Sequence, residues 1–293
     1  MNHRNALLAV HLGAFLFGLT GVLGKLAHSS PLLITFGRAL FAVAALTLFA
    51  RLAGAGDRRP TPRQLVPLCL GGLLLGSHWL TFFLAVKVAG VAIATLGFAS
   101  FPAFTLLLEG LLFRERLHRQ EYLVVGLVCL GLALVTPHFE LGSQATLGLL
   151  WAVLSGLLFA LLSLLNRASA GAVDAVQAAL WQNLTITACL AAFAWPQLPA
   201  VPALDWLWIL LLGVLCTGLA HSLFVASLKV LKARSTSVIL ALEPVYGIAI
   251  AWLLFHEQPT LRMLAGGALI LLASLLVARH GKAAPRPASV GPE

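Results

Sequence analysis

Residues 87–115 read KVAGVAIATLGFASFPAFTLLLEGLLFRE, and residues 229–257 read KVLKARSTSVILALEPVYGIAIAWLLFHE. Laid one above the other, the two agree at Lys87 and Lys229, Pro102 and Pro244, Phe113 and Phe255, and Glu115 and Glu257. The same displacement of 142 residues pairs Phe17 with Phe159, Lys25 with Arg167, Gly71 with Gly213, Gly76 with Gly218 and Phe82 with Phe224. A chain rich in Leu and Ala matches itself by chance at Leu and Ala. It does not do so repeatedly at Pro, Lys and Glu, so the chain contains an internal repeat.

The composition says where that repeat lives. Of 293 residues, 60% are hydrophobic and 10% charged, with a mean hydropathy of +0.97. Soluble domains carry about a quarter charged residues, and no core could hide this much apolar surface, so a soluble globular enzyme and a disordered chain are both excluded. Ten apolar runs approach the roughly 20 residues needed to cross a bilayer: 6–28, 32–52, 65–86, 90–113, 121–137, 146–166, 174–195, 204–228, 235–255 and 261–279. The first is longer than a removable signal sequence and contains Lys25, which favours a retained helix. The fold expected is an all-α polytopic membrane protein of ten transmembrane helices. It divides into a first five-helix repeat (1–141), a second (142–280) and a disordered cytoplasmic tail (281–293).

The net charge of +9 orients the chain rather than recruiting nucleic acid, because the basic residues sit in short gaps between apolar runs. With both termini cytoplasmic, inner segments hold fifteen Lys and Arg and outer segments three. Five spans per half is an odd number, so the second half enters the membrane upside down. Inverted repeats of this kind recur in secondary transporters, with the binding region where matched helices are interrupted. Pro102 and Pro244 are the matched interruptions, expected to kink helices four and nine near mid-membrane.

Charged and polar groups far from helix ends are costly in lipid and mark candidate sites. Glu243 and His221 lie at similar depth. They are expected either to form a buried pair able to hold an ammonium or proton, or to make a structural hydrogen bond beside Pro244. His78 with Trp79 gives a polar and aromatic spot in the third run. Phe98, Phe101, Thr105 and Glu109 share a helical stripe whose rings could wall an apolar cavity, with Glu109 expected to pair near the inner surface beside Arg114. Thr20, Trp181 and Asn183 are further pathway candidates. Arg38 lies inside the second run, either snorkelling to the outer surface or clasping a substrate carboxylate. Cys69, Cys129, Cys189 and Cys216 all fall within apolar runs, and no Cys/His cluster suggests a metal. No cofactor is expected.

The chain resembles the drug/metabolite transporter superfamily, specifically its ten-helix EamA-type permeases. The resemblance is carried by Phe17-Gly18 with Gly24-Lys25, Arg38, Pro102 through Arg114-Glu115, and Glu243-Pro244 through His256-Glu257. Within that superfamily it looks most similar to YddG-type amino-acid exporters. The resemblance implies export or exchange of small metabolites, often amino acids, by alternating access. The expected location is the cell inner membrane, and a monomer is favoured while the sequence leaves the oligomeric state open. It departs from the phosphate-handling branches, having no mid-membrane cluster of Lys or Arg. An intramembrane enzyme is the rival reading, but the HExxH and GxSxG patterns such chemistry uses are absent, as is a nucleotide-binding loop.

Overall fold

Asn2 starts the first helix: its side-chain oxygen accepts from the Asn5 amide at 2.8 Å, satisfying one of the donors that a helix N-terminus leaves bare. From there a computed structural model describes residues 2–53, 60–112, 119–135, 140, 142–169, 175–228, 230–231, 236 and 239–280. Among them every regular element is helical: α1 (His3–Leu26), α2 (Pro31–Ala53), α3 (Pro62–Phe98), α4 (Phe101–Leu112), α5 (Arg119–Val135), α6 (Gln144–Ala168), α7 (Ala175–Ala194), a 3-10 turn (Trp195–Ala200), α8 (Ala203–Gly213), a π-helical stretch (Val214–Leu219), α9 (Ala220–Leu228), α10 (Glu243–Phe255) and α11 (Leu261–His280). Six helical segments are long and apolar enough to cross a membrane. They are His3–Leu26, Pro31–Arg51, Pro62–Phe98, Gln144–Ala168, Val176–Ala200 and Ala203–Phe224. Phe101–Leu112, Glu243–Phe255 and Leu261–Val277 are shorter apolar helices.

The third and fourth apolar runs differ from the sequence expectation in where they stop. They are joined in one 37-residue element whose direction changes at Gly90, with φ 84° and ψ 174°. Only glycine takes such a backbone without steric cost. The interruption at the prolines also takes another form. Instead of a kink inside a continuous helix, Ala99 and Ser100 make a two-residue turn, and Pro102 is the second residue of α4. Ala241 and Leu242 make the matching turn, and Pro244 is the second residue of α10. The first turn of a helix has no intrahelical use for an N–H, so proline is at home there. Each proline therefore restarts a helix.

Packing follows the 142-residue displacement. α1 lies against α9 and α10, as α6 lies against α3 and α4; α2 meets α7 and α8, as α3 meets α7; and α5 pairs with its counterpart α11. The correspondence extends to single residues. A Cβ added to Gly97 would press on Leu149 and Ala152, and Leu7, Val10 and Ile239, one displacement away, share a cluster. Close approach of small residues supplies van der Waals contact where lipid gives helices no hydrophobic reason to associate. The seam of α1 on α10 is close on backbone atoms from both sides: a Cβ on Gly18 would stand 2.8 Å from the Glu243 carbonyl oxygen, and one on Gly247 2.9 Å from that of Gly18.

Candidate functional site

Two consecutive residues of α3 open onto two adjoining buried clusters. In the first, His78 faces α6. Its Nδ1 lies 2.7 Å from Ser155 Oγ and 3.2 Å from the Ser155 carbonyl oxygen, while Ser155 Oγ lies 3.0 Å from the His78 carbonyl. The serine has one proton and donates it to that carbonyl, so its lone pairs accept from the imidazole. That pattern puts the ring proton on Nδ1 and leaves Nε2 an acceptor. Around His78 stand Phe98 at 5.0 Å and Phe159 at 5.1 Å between ring centroids, with Phe101 stacked on Phe98 at 5.3 Å and Phe82 edge-on at 5.9 Å. The break at Ala99 and Ser100 is what turns Phe98 and Phe101, on different helices, onto one another. One displacement away, Ala220 meets Gly13, so the contact equivalent to His78 with Ser155 is apolar. The two halves share a backbone plan and differ in chemistry.

In the second cluster Trp79 faces α2. Arg38 is 4% exposed, with its guanidinium carbon 3.9 Å from the centre of the Trp79 ring and 5.9 Å from that of Phe83. Its Nε donates to Thr217 Oγ1 at 2.8 Å. Thr217 belongs to the π-helical stretch and donates onward to the Leu212 carbonyl five residues back, at 3.0 Å. Such stretches are often found at functional sites. Thr20 on α1 and Cys216 of the π-helical stretch are both buried. The charge of Arg38 acts on His78, Cys216 and Glu243. Arg38 does not snorkel: it is buried, with the Trp79 ring against its guanidinium.

Other expected sites fall elsewhere. His221 and Glu243 are not joined by a hydrogen bond among the described residues; the His221 ring packs on Phe224 at 6.3 Å, and the charged residue acting on Glu243 is Arg38. Counting from helix ends fixes depth but not rotation about the axis, which advances 100° per residue. Trp181 is half-buried on α7 and offers its carbonyl to Thr185. Asn183 is buried, with its Oδ1 enclosed and unpartnered. Glu109 forms an ion pair with Arg167 of α6; Arg114 lies outside the described residues. Ser155, Thr217, Phe82 and Phe159 were not expected at the site, although the 142-residue matches had marked both phenylalanines.

One end of the molecule is tied by charge. Lys25, in the last turn of α1, pairs with Glu257, which follows the left-handed His256 that ends α10. Glu257 Oε2 also accepts from the Val91 amide at 3.1 Å, just past the Gly90 turn, and Lys87 donates to the Ala27 carbonyl. Asp205 accepts from the amide and hydroxyl of Ser29 at 2.6 and 2.5 Å. Beside this knot opens a cavity of about 650 Å³ lined by Lys25, His28, Lys87, Gly90 and Glu257, among others.

Comparison with known proteins agrees with this architecture. Residues 4–136 and, separately, 146–279 match the EamA-like transporter family. The chain is 28% identical over 274 residues to an uncharacterised transporter of Archaeoglobus fulgidus, covering 93% of this chain and 96% of that one. It is 26% identical to the pseudopaline exporter of Pseudomonas aeruginosa (95% and 98% covered). It is also 26% identical to the S-adenosylmethionine uptake transporter of Rickettsia bellii (87% and 85% covered). A solved crystal structure superposes with a TM-score of 0.63 over 96% of this chain and all of that chain, at 19% identity.

Proposed function

Because the chain belongs to the EamA-like transporter family, and so is a multi-pass membrane transporter of small metabolites, we propose that it exports amino acids, neutral or aromatic, by alternating access across the cell inner membrane. In this reading ten helices form two inverted halves, 1–141 and 142–280, with both termini cytoplasmic, and the chain works without a cofactor. The observation that carries the reading is the residue-by-residue exchange of contacts between halves, down to the matched turns before Pro102 and Pro244. Two halves built alike can trade conformations, and trading them exchanges which end is open. The buried seam supports the choice of cargo: a cation on Arg38, a carboxylate on Glu243 and a wall of phenylalanine rings suit a molecule with both charges and an apolar side chain.

Purified protein in liposomes loaded with unlabelled amino acid is expected to accumulate the labelled one saturably, and to do so without a nucleotide. Liposomes that perform as protein-free controls across an amino-acid panel would refute the assignment. The names of the relatives favour a second reading, carriage of a different small metabolite, which the same panel extended to other solutes separates from the first.

The knot at Lys25 is proposed to close the outer end in the state described, because it ties α1 of one half to the loop after α10 of the other. Reversing either charge, K25E or E257K, is expected to lower flux about fivefold, the upper range for a part-exposed pair. The double swap K25E/E257K is expected to recover at least half of the loss. If the swap is no better than the single changes, the pair is not a closure.

A further inference from the structure

We propose that the Arg38 guanidinium is the docking point for a carboxylate on the transported molecule. This rests on the transporter reading above and assigns one residue the task of selecting acids over their uncharged or decarboxylated analogues.

An arginine buried for structural reasons alone spends its donors on the protein, since an unpaired buried charge is costly. Arg38 spends one. Nε donates to Thr217, and among the described residues the two terminal amino groups meet no acceptor. These groups are also not sealed in, for the one fully enclosed side-chain atom without a partner among those residues is Asn183 Oδ1. They therefore keep a little accessible surface, although the residue as a whole is 4% exposed.

What the protein does with Arg38 is hold it still. The guanidinium carbon sits over the Trp79 ring, 3.9 Å from its centre, and the bond from Nε to Thr217 holds one edge of the group. A guanidinium held face and edge presents its remaining two amino groups as a rigid fork, the geometry that takes a carboxylate through two parallel hydrogen bonds. Glu243 is a second charge acting on the same group, yet no hydrogen bond joins them among the described residues. The protein thus keeps a cation and an anion within electrostatic range of one another without letting them pair directly, and a zwitterion completes both. Trp79 and Phe83 leave the side of the fork apolar, which matches an acid whose remaining bulk is hydrocarbon.

The test compares an acid with its own amide. Labelled phenylalanine and phenylalaninamide are offered to liposomes bearing the wild-type protein, R38Q or R38K, with folding of each variant checked by size-exclusion profile and thermal melting. The wild type is expected to favour the acid by about a hundredfold at low concentration, because a site built to bond a polar group rejects the analogue that cannot supply it. In R38Q the acid-to-amide ratio is expected to fall to about one through a rise in KM for the acid. R38K keeps the charge without the fork and should lie between. If R38Q misfolds, R38K carries the test: its acid-to-amide ratio is expected to fall below that of the wild type, and an undiminished ratio overturns the assignment. A wild type that moves both equally, or an R38Q protein with undiminished preference, overturns the assignment and leaves the transporter reading standing. A wild type that moves neither these nor any other solute of the panel overturns both.

Discussion

Glu243→Gln is expected to cut amino-acid flux by about ten- to a hundredfold while the protein still folds and inserts. The change keeps shape and hydrogen-bonding reach and removes only the charge. A hydrogen bond to a charged group contributes roughly 1.5–3 kcal/mol, and each 1.4 kcal/mol is about tenfold. Glu243 opens α10 directly after the turn at Ala241 and Leu242, on the seam with α1 and within the field of Arg38. An ionisable side chain placed there costs stability unless it serves the passage of a solute or proton. Initial rates in liposomes, normalised to protein recovered in the bilayer, measure the effect. Undiminished flux in the glutamine variant would remove Glu243 from the mechanism.

The second large effect is on stability. Gly18→Ala adds a single methyl group, yet that carbon would stand 2.8 Å from the Glu243 carbonyl oxygen, 3.0 Å from the Gly247 nitrogen and 3.0 Å from the Tyr246 Cβ. Two of these neighbours are backbone atoms and cannot rotate away, so α1 and α10 must separate. Overpacking of this kind costs about 1–3 kcal/mol, expected here as a lowered thermal midpoint in detergent. Gly126→Ala is the matched control, since nothing lies within 4 Å of its added carbon and alanine is the better helix former. Equal midpoints for the two variants would mean that the α1 seam yields freely.

The architecture was largely written in the chain. Run length and the scarcity of charge marked an all-helical membrane chain, and the Pro-to-Glu spacing exposed the repeat, because both are linear properties of a sequence. Three things were not legible. The break at Ala99 and Ser100 precedes Pro102 because proline is welcome in a first turn, and residue type alone does not distinguish a kinked helix from a restarted one. The partners of Glu243 and Glu109 depend on rotation about helix axes, to which a depth count is blind. Arg38 was readable either as a snorkelling residue or as a clasp, because the Trp79 ring that covers it comes from another helix.

At the place where one half carries the phenyl ring of Phe101, the other carries the carboxylate of Glu243, each the first residue after its turn. A duplicated fold has thus become chemically lopsided while its skeleton stayed even. Detailed balance forbids such lopsidedness from driving net movement when solute is equal on both sides. In the alternating-access reading proposed above, it can still give the two mouths different half-saturation concentrations, so that a carrier fills readily from one compartment and empties readily into the other.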